Sequence, residues 1–68
     1  MIDLTNTAKK VLTAIDGTGP ESVNWKTIQK ITKMERMYVF SGLLELELLG
    51  VIRQLPGKYF IRRGENTD

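Results

Sequence analysis

The 68-residue chain contains no cysteine and no histidine. The first absence excludes disulfide staples and thiolate metal sites. The second removes the commonest general base, the commonest metal ligand and the near-neutral pH switch together. No apolar run approaches the roughly 20 residues that a membrane span needs. The opening residues, Met1-Ile2-Asp3-Leu4, have neither a basic n-region nor an apolar h-region, so no secretory signal is read there and a cytoplasmic chain without membrane contact is expected. Charge of one sign is scarcely in excess: ten basic and eight acidic side chains leave a net +2. That total is too small to announce a polyanion binder by itself.

A chain this short has room for one domain, and it buries only about 60% of the surface its unfolded form exposes. Stability must come from packed helices and a short sheet. Ala8, Val11, Leu12 and Ile15 recur at i, i+3, i+4 and i+7, which predicts a helix from about Thr5 to Ile15. Thr5 or Asn6 is placed to cap it, and Gly17 to close it in a left-handed conformation. Val23-Asn24 opens a second helix, with Asn24 as N-cap and Val23 and Ile28 as a hydrophobic staple. This helix ends near Thr32, because a third periodic segment, about Arg36 to Leu49, begins within a few residues.

The third segment carries two apolar stripes, Val39-Leu43-Leu46 and Phe40-Leu44-Leu48, with Gly50 at its end. A helix this apolar is covered on more than one side. The expectation is that helices one and two cover one stripe and a hairpin the other. After Gly50 the period changes. Val51–Leu55 and Lys58–Arg62 are rich in β-branched and aromatic residues and flank Pro56-Gly57, which reads as a β-hairpin. Pro-Gly favours a type II turn, so a loop wider than two residues is expected. Three helices and a hairpin that must lie on them give a mainly α architecture, a winged helix-turn-helix with a two- or three-stranded wing. Residues 1–4 are read as an extension, 5–63 as the domain and 64–68 as a frayed tail.

The stretch Leu43-Leu44-Glu45-Leu46-Glu47-Leu48-Leu49-Gly50-Val51-Ile52, followed by Leu55-Pro56-Gly57-Lys58-Tyr59, resembles the C-terminal winged-helix domain of the DprA (Smf) DNA-processing proteins. The resemblance covers roughly residues 8 to 63. Two departures stand out: the family usually has Thr-Gly in the turn where this chain has Thr32-Lys33, and small residues where it has Met37-Tyr38. The resemblance implies an accessory domain in natural transformation and recombination. In that family a separate Rossmann-like domain binds single-stranded DNA and handles loading of RecA, so RecA is implied as a partner only indirectly.

Candidate contacts follow from where the charge lies. Lys26, Lys30 and Lys33 form a stripe at i, i+4, i+7 on helix two, with Arg36 close behind. In helix-turn-helix docking the first helix of the motif crosses the phosphate backbone. Arg53, Lys58, Arg62 and Arg63 follow on the wing with no acid between residues 51 and 63. Both groups also have structural readings, as a solvated helix face and as edge-strand protection. On helix three the polar arc is Tyr38, Ser41 and Glu45, which lacks the Arg, Lys, Asn or Gln that usually reads base edges. DNA, single- or double-stranded, is therefore expected to be held weakly by its backbone, with little sequence preference. Trp25 is expected in the core rather than stacked on a base.

The rival reading is a protein-interaction module whose interface is Phe40, Leu44, Leu48 and Leu49, docking a Rossmann-like parent domain or a second copy. An enzyme is not expected, because no convergent acid, base or nucleophile set is present, and neither a cofactor nor a metal ligand cluster is read from the sequence.

Overall fold

The computed structural model describes residues 3–18 and 21–63. Three helices, α1 (Asn6–Gly17), α2 (Trp25–Thr32) and α3 (Arg36–Leu48), are joined by a three-stranded antiparallel sheet of β1 (Val23–Asn24), β2 (Ile52–Leu55) and β3 (Tyr59–Arg62). The strand order is β1-β3-β2, so the last strand is central. This is the expected winged helix-turn-helix, with the short β1 completing a three-stranded wing. The tail at 64–68 lies outside the described residues.

Local chemistry accounts for the boundaries. Thr5 caps α1, its hydroxyl accepting from the Ala8 N–H at 3.1 Å. Asn24 caps α2 by accepting from the Lys26 N–H at 2.9 Å. α3 ends in a Schellman motif around Gly50, whose φ is 78°. There the Val51 N–H donates to the Leu46 carbonyl at 2.9 Å, and the Gly50 N–H donates to the Glu47 carbonyl at 3.0 Å. Gly17, by contrast, does not take the left-handed form expected of it. It is the last helical residue, and Thr18 closes α1 at φ −92° with its hydroxyl donating to the Ile15 carbonyl at 2.8 Å. The Thr18 hydroxyl and its backbone N–H, at 3.2 Å, together satisfy the Ile15 carbonyl, a task that a left-handed glycine cap performs with backbone donors alone.

Lys33 takes the left-handed position at the end of α2, with φ 59°. For a residue with a Cβ this costs about 1–2 kcal/mol, and glycine avoids the cost at a smaller entropic penalty. Lys33→Gly is expected to stabilise the fold by about 0.5–1 kcal/mol and to raise the melting temperature by about 4 °C in a thermal denaturation scan.

The core comprises Ala8, Val11, Ala14 and Ile15 of α1, Ile28 of α2, Val39, Leu43 and Leu46 of α3, and Val23, Ile52 and Phe60 of the sheet. Leu4, in the expected extension, also packs against it. α1 and α3 cross closely at Gly42, where an added Cβ would lie 2.8 Å from Val11 Cγ2 and 3.2 Å from the Thr7 carbonyl oxygen. The wing turn has three residues, Pro56-Gly57-Lys58, closed by the Leu55–Tyr59 pair, so it is wider than two residues as expected.

One expectation about α3 is corrected. Only the Val39-Leu43-Leu46 stripe is fully covered. Phe40 of the second stripe is half-buried against the core cluster, but Leu44 and Leu48 stay exposed. The wing packs on the Phe40 edge of the helix and does not reach over its outer face.

Candidate nucleic-acid interface

α2 is tied to the wing tip through its first residue: the Trp25 N–H donates to the Lys58 carbonyl at 3.2 Å. The Asn24 side-chain amide donates to the Gly57 carbonyl at 3.4 Å. This joint brings together residues far apart in sequence. The Trp25 and Phe40 rings stand 5.0 Å apart at 41°, a favourable tilted pair. Lys26 Nζ lies 6.0 Å from the Trp25 centroid, and Lys58 Nζ lies 5.7 Å from the Phe40 centroid. Two ammonium groups therefore flank one aromatic pair where α2, α3 and the wing meet, within cation–π range. Trp25 packs against the core as expected, though it is only half-buried.

The rest of the α2 stripe, Lys30 and Lys33, is exposed. Lys33 and Lys58 are also the two non-glycine residues with positive φ among those described, 59° and 63°. Both are held in a backbone form that ordinarily favours glycine, at the two ends of the basic region.

The wing's arginines do not share one face. Register pairs Ile52 with Arg62 and Arg53 with Ile61, and directly paired residues of antiparallel strands point to the same side. Arg62 is thus on the helix side with Ile52 and Phe60, and Arg53 is on the outer side. The expectation that these basic residues lack a counter-charge is corrected at Arg62. Its Nη1 donates to both carboxylate oxygens of Asp16, at 2.8 and 2.7 Å. Both side chains are about half exposed, so the pair adds at most about 1 kcal/mol. Arg63 lies beyond β3, where its N–H donates to the Val51 carbonyl at 2.9 Å.

On α3, Glu45 is partly exposed and bonded to the start of α1. It accepts from the Thr5 N–H at 3.0 Å and from the Thr5 hydroxyl at 2.7 Å. The backbone hydrogen bond, then the hydroxyl, holds its carboxyl below the usual carboxylate pKa. A depressed native pKa stabilises the fold above the unfolded-state pKa, and that contribution is lost as pH falls through the native value. Urea unfolding across the acid range is expected to show this loss in the wild type and not in Glu45→Gln.

Tyr38 is half exposed and Ser41 is exposed. A groove of about 320 Å³ runs between α3 and the wing, with Phe40, Leu44 and Lys58 among its lining and Glu47 at one edge. A second groove, about 470 Å³, lies between α1 and α2 beside Lys9, Lys10 and Ile31. Among the described residues no group of His, Cys, Asp and Glu is placed to hold a metal ion, and no helix is long and apolar enough to cross a membrane.

The profile of the DprA winged helix domain matches residues 2–58. The chain belongs to the DprA winged helix domain family. No curated protein and no solved structure matches the chain. Within the DprA winged helix domain the basic groups are legible in the sequence and their meeting point is not. Trp25, Phe40, Lys26 and Lys58 are spread over 34 positions of chain; the contact of Asn24 and Trp25 with the wing turn and the packing of α3 on α2 unite them. Met37, an exposed apolar residue, belongs to neither apolar stripe read from the sequence; its spacing of seven from Leu44 is the signal that places it in line with that residue.

Proposed function

We propose that the domain is an accessory nucleic-acid-binding module of a DprA-like DNA-processing protein, holding DNA by its phosphate backbone with little sequence preference. The observation that carries this reading is the convergence of Lys26 and Lys58 on the Trp25–Phe40 pair, continued along α2 by Lys30 and Lys33. Neither Lys26 nor Lys58 forms an ion pair among the described residues. Ammonium groups spaced along one helix and a wing tip suit successive phosphates, and the exposed part of the ring pair suits stacking by an unpaired base.

Sequence-blind binding follows from α3. Its outward line is Met37, Ser41, Leu44 and Leu48, which offers one hydroxyl and no long polar side chain to a base edge. Arg53 and Arg63 add positive field from the wing, and Arg36 from the start of α3. Arg62 contributes less, because Asp16 already neutralises it. By its family, the role belongs to DNA processing in transformation and recombination, with RecA reached through the large domain of a parent protein.

Titration of labelled single- and double-stranded oligonucleotides at low and moderate salt tests the reading. Binding at low salt that weakens steeply as salt rises, with similar affinity for unrelated sequences, is expected. No binding at low salt, or binding indifferent to salt, overturns it.

A further inference from the structure

We propose that the outer face of α3 is a self-association surface, on which two copies of the chain pack antiparallel about a two-fold axis. Met37, Leu44 and Leu48 are 66%, 56% and 77% exposed, on a helix whose opposite side forms the core. With Ser41, also exposed, they are spaced 4-3-4. At 3.6 residues per turn the four fall within an arc of about 60°, and 4-3-4 is the spacing of a heptad seam. The small Ser41 lies in the middle of this ridge, where two crossing helices approach most closely.

The charges beside the ridge identify the occupant. Arg36 and Glu47 are both exposed, and neither is ion-paired among the described residues. They are eleven residues apart, about three turns or 16 Å, and lie within about 20° of each other on the same flank of the ridge. A two-fold axis perpendicular to α3 reverses the helix and keeps like flank beside like flank. Arg36 of one copy then meets Glu47 of the other, and the contact occurs twice. A parallel pair would instead carry this flank of the two copies to opposite sides of the seam, and Arg36 would not meet Glu47. The surface is thus complementary to itself in one orientation. Four ridge side chains give less than the roughly 800 Å² per partner of a standard interface, so the association is weak and concentration-dependent. Lys26 and Lys30 belong to α2, away from this helix face, while Lys58 lines the groove at its border with Leu44 and Glu47; the proposal does not depend on the polyanion reading.

Sedimentation equilibrium of the 68-residue chain from micromolar to millimolar concentration tests the proposal, with circular dichroism verifying that each variant is folded. The wild type is expected to dimerise in this range, and Leu44→Glu, at an exposed position, to remain monomeric. Arg36→Glu and Glu47→Arg alone are each expected to weaken the dimer about tenfold, since each sets like charges together twice. The double variant R36E/E47R restores it, and an equimolar mixture of the two single variants forms a heterodimer. A wild type that is monomeric throughout overturns the proposal. So does a dimer that Leu44→Glu leaves intact, or one whose charge variants do not rescue one another; these outcomes assign the ridge to a different partner or the dimer to a different face.

Discussion

Gly42→Val is expected to lower the melting temperature by roughly 10 °C or more, and in a domain this small to leave a large unfolded fraction at 37 °C. The close crossing of α1 and α3 is the reason. A Cβ at position 42 meets Val11 Cγ2 at 2.8 Å and the Thr7 carbonyl oxygen at 3.2 Å. Val11 is fully buried and, being β-branched in a helix, has one strongly preferred rotamer. The carbonyl belongs to the α1 backbone, so neither neighbour can yield without moving the helix. Overpacking of this kind costs about 1–3 kcal/mol, and valine adds two further methyl groups to the collision. Gly42→Ala offsets part of the clash through its better helix propensity, about 1 kcal/mol, and is expected to be milder. Thermal denaturation of the two variants beside the wild type measures the difference.

The second large effect concerns binding. Replacing both Lys26 and Lys58 with alanine is expected to weaken DNA binding at least tenfold at low salt. It is also expected to flatten the dependence of log affinity on log salt for duplex DNA by about 1.8, at roughly 0.9 per phosphate neutralised. The two ammonium groups flank the same ring pair from different elements, so removing either leaves one cation on the pair and removing both leaves none. The matching control is Lys9→Ala with Lys10→Ala. These exposed lysines line the groove between α1 and α2, and the same loss of net charge there is expected to change affinity little. Equal losses from the two double variants would mean that global charge, and no particular face, holds the DNA.

Much of the fold was legible because each element announces its own period. The 3.6-residue recurrence of Ala8, Val11 and Ile15, the cap at Asn24, and the change of pattern at Gly50 all act locally, and the structure keeps them. The two closing glycines show where local reading ends. Gly50 takes the left-handed form and Gly17 does not, because Thr18 supplies a hydroxyl for the Ile15 carbonyl. α3 defeats periodicity in another way. With apolar residues around most of its circumference, only tertiary packing decides that Val39, Leu43 and Leu46 are covered while Leu44 and Leu48 face out.

The candidate site was legible as an inventory of charges and not as a surface. That Arg62 turns toward Asp16 while Arg53 faces away depends on the pairing of Ile52 with Arg62 across the hairpin. No residue type encodes that register. The Thr32-Lys33 departure from the family's Thr-Gly pattern was visible in the sequence, but its consequence, a lysine held at φ 59°, needed the turn geometry.

Mapping backbone amide shifts by NMR while a short oligonucleotide is added at low salt locates the DNA directly on the domain. The account predicts that the largest changes fall on Trp25 through Lys33 and on Gly57 and Lys58, with the Trp25 indole among them and the Met37–Leu48 ridge nearly silent. Shifts concentrated on that ridge, or a spectrum unchanged by DNA, would contradict it.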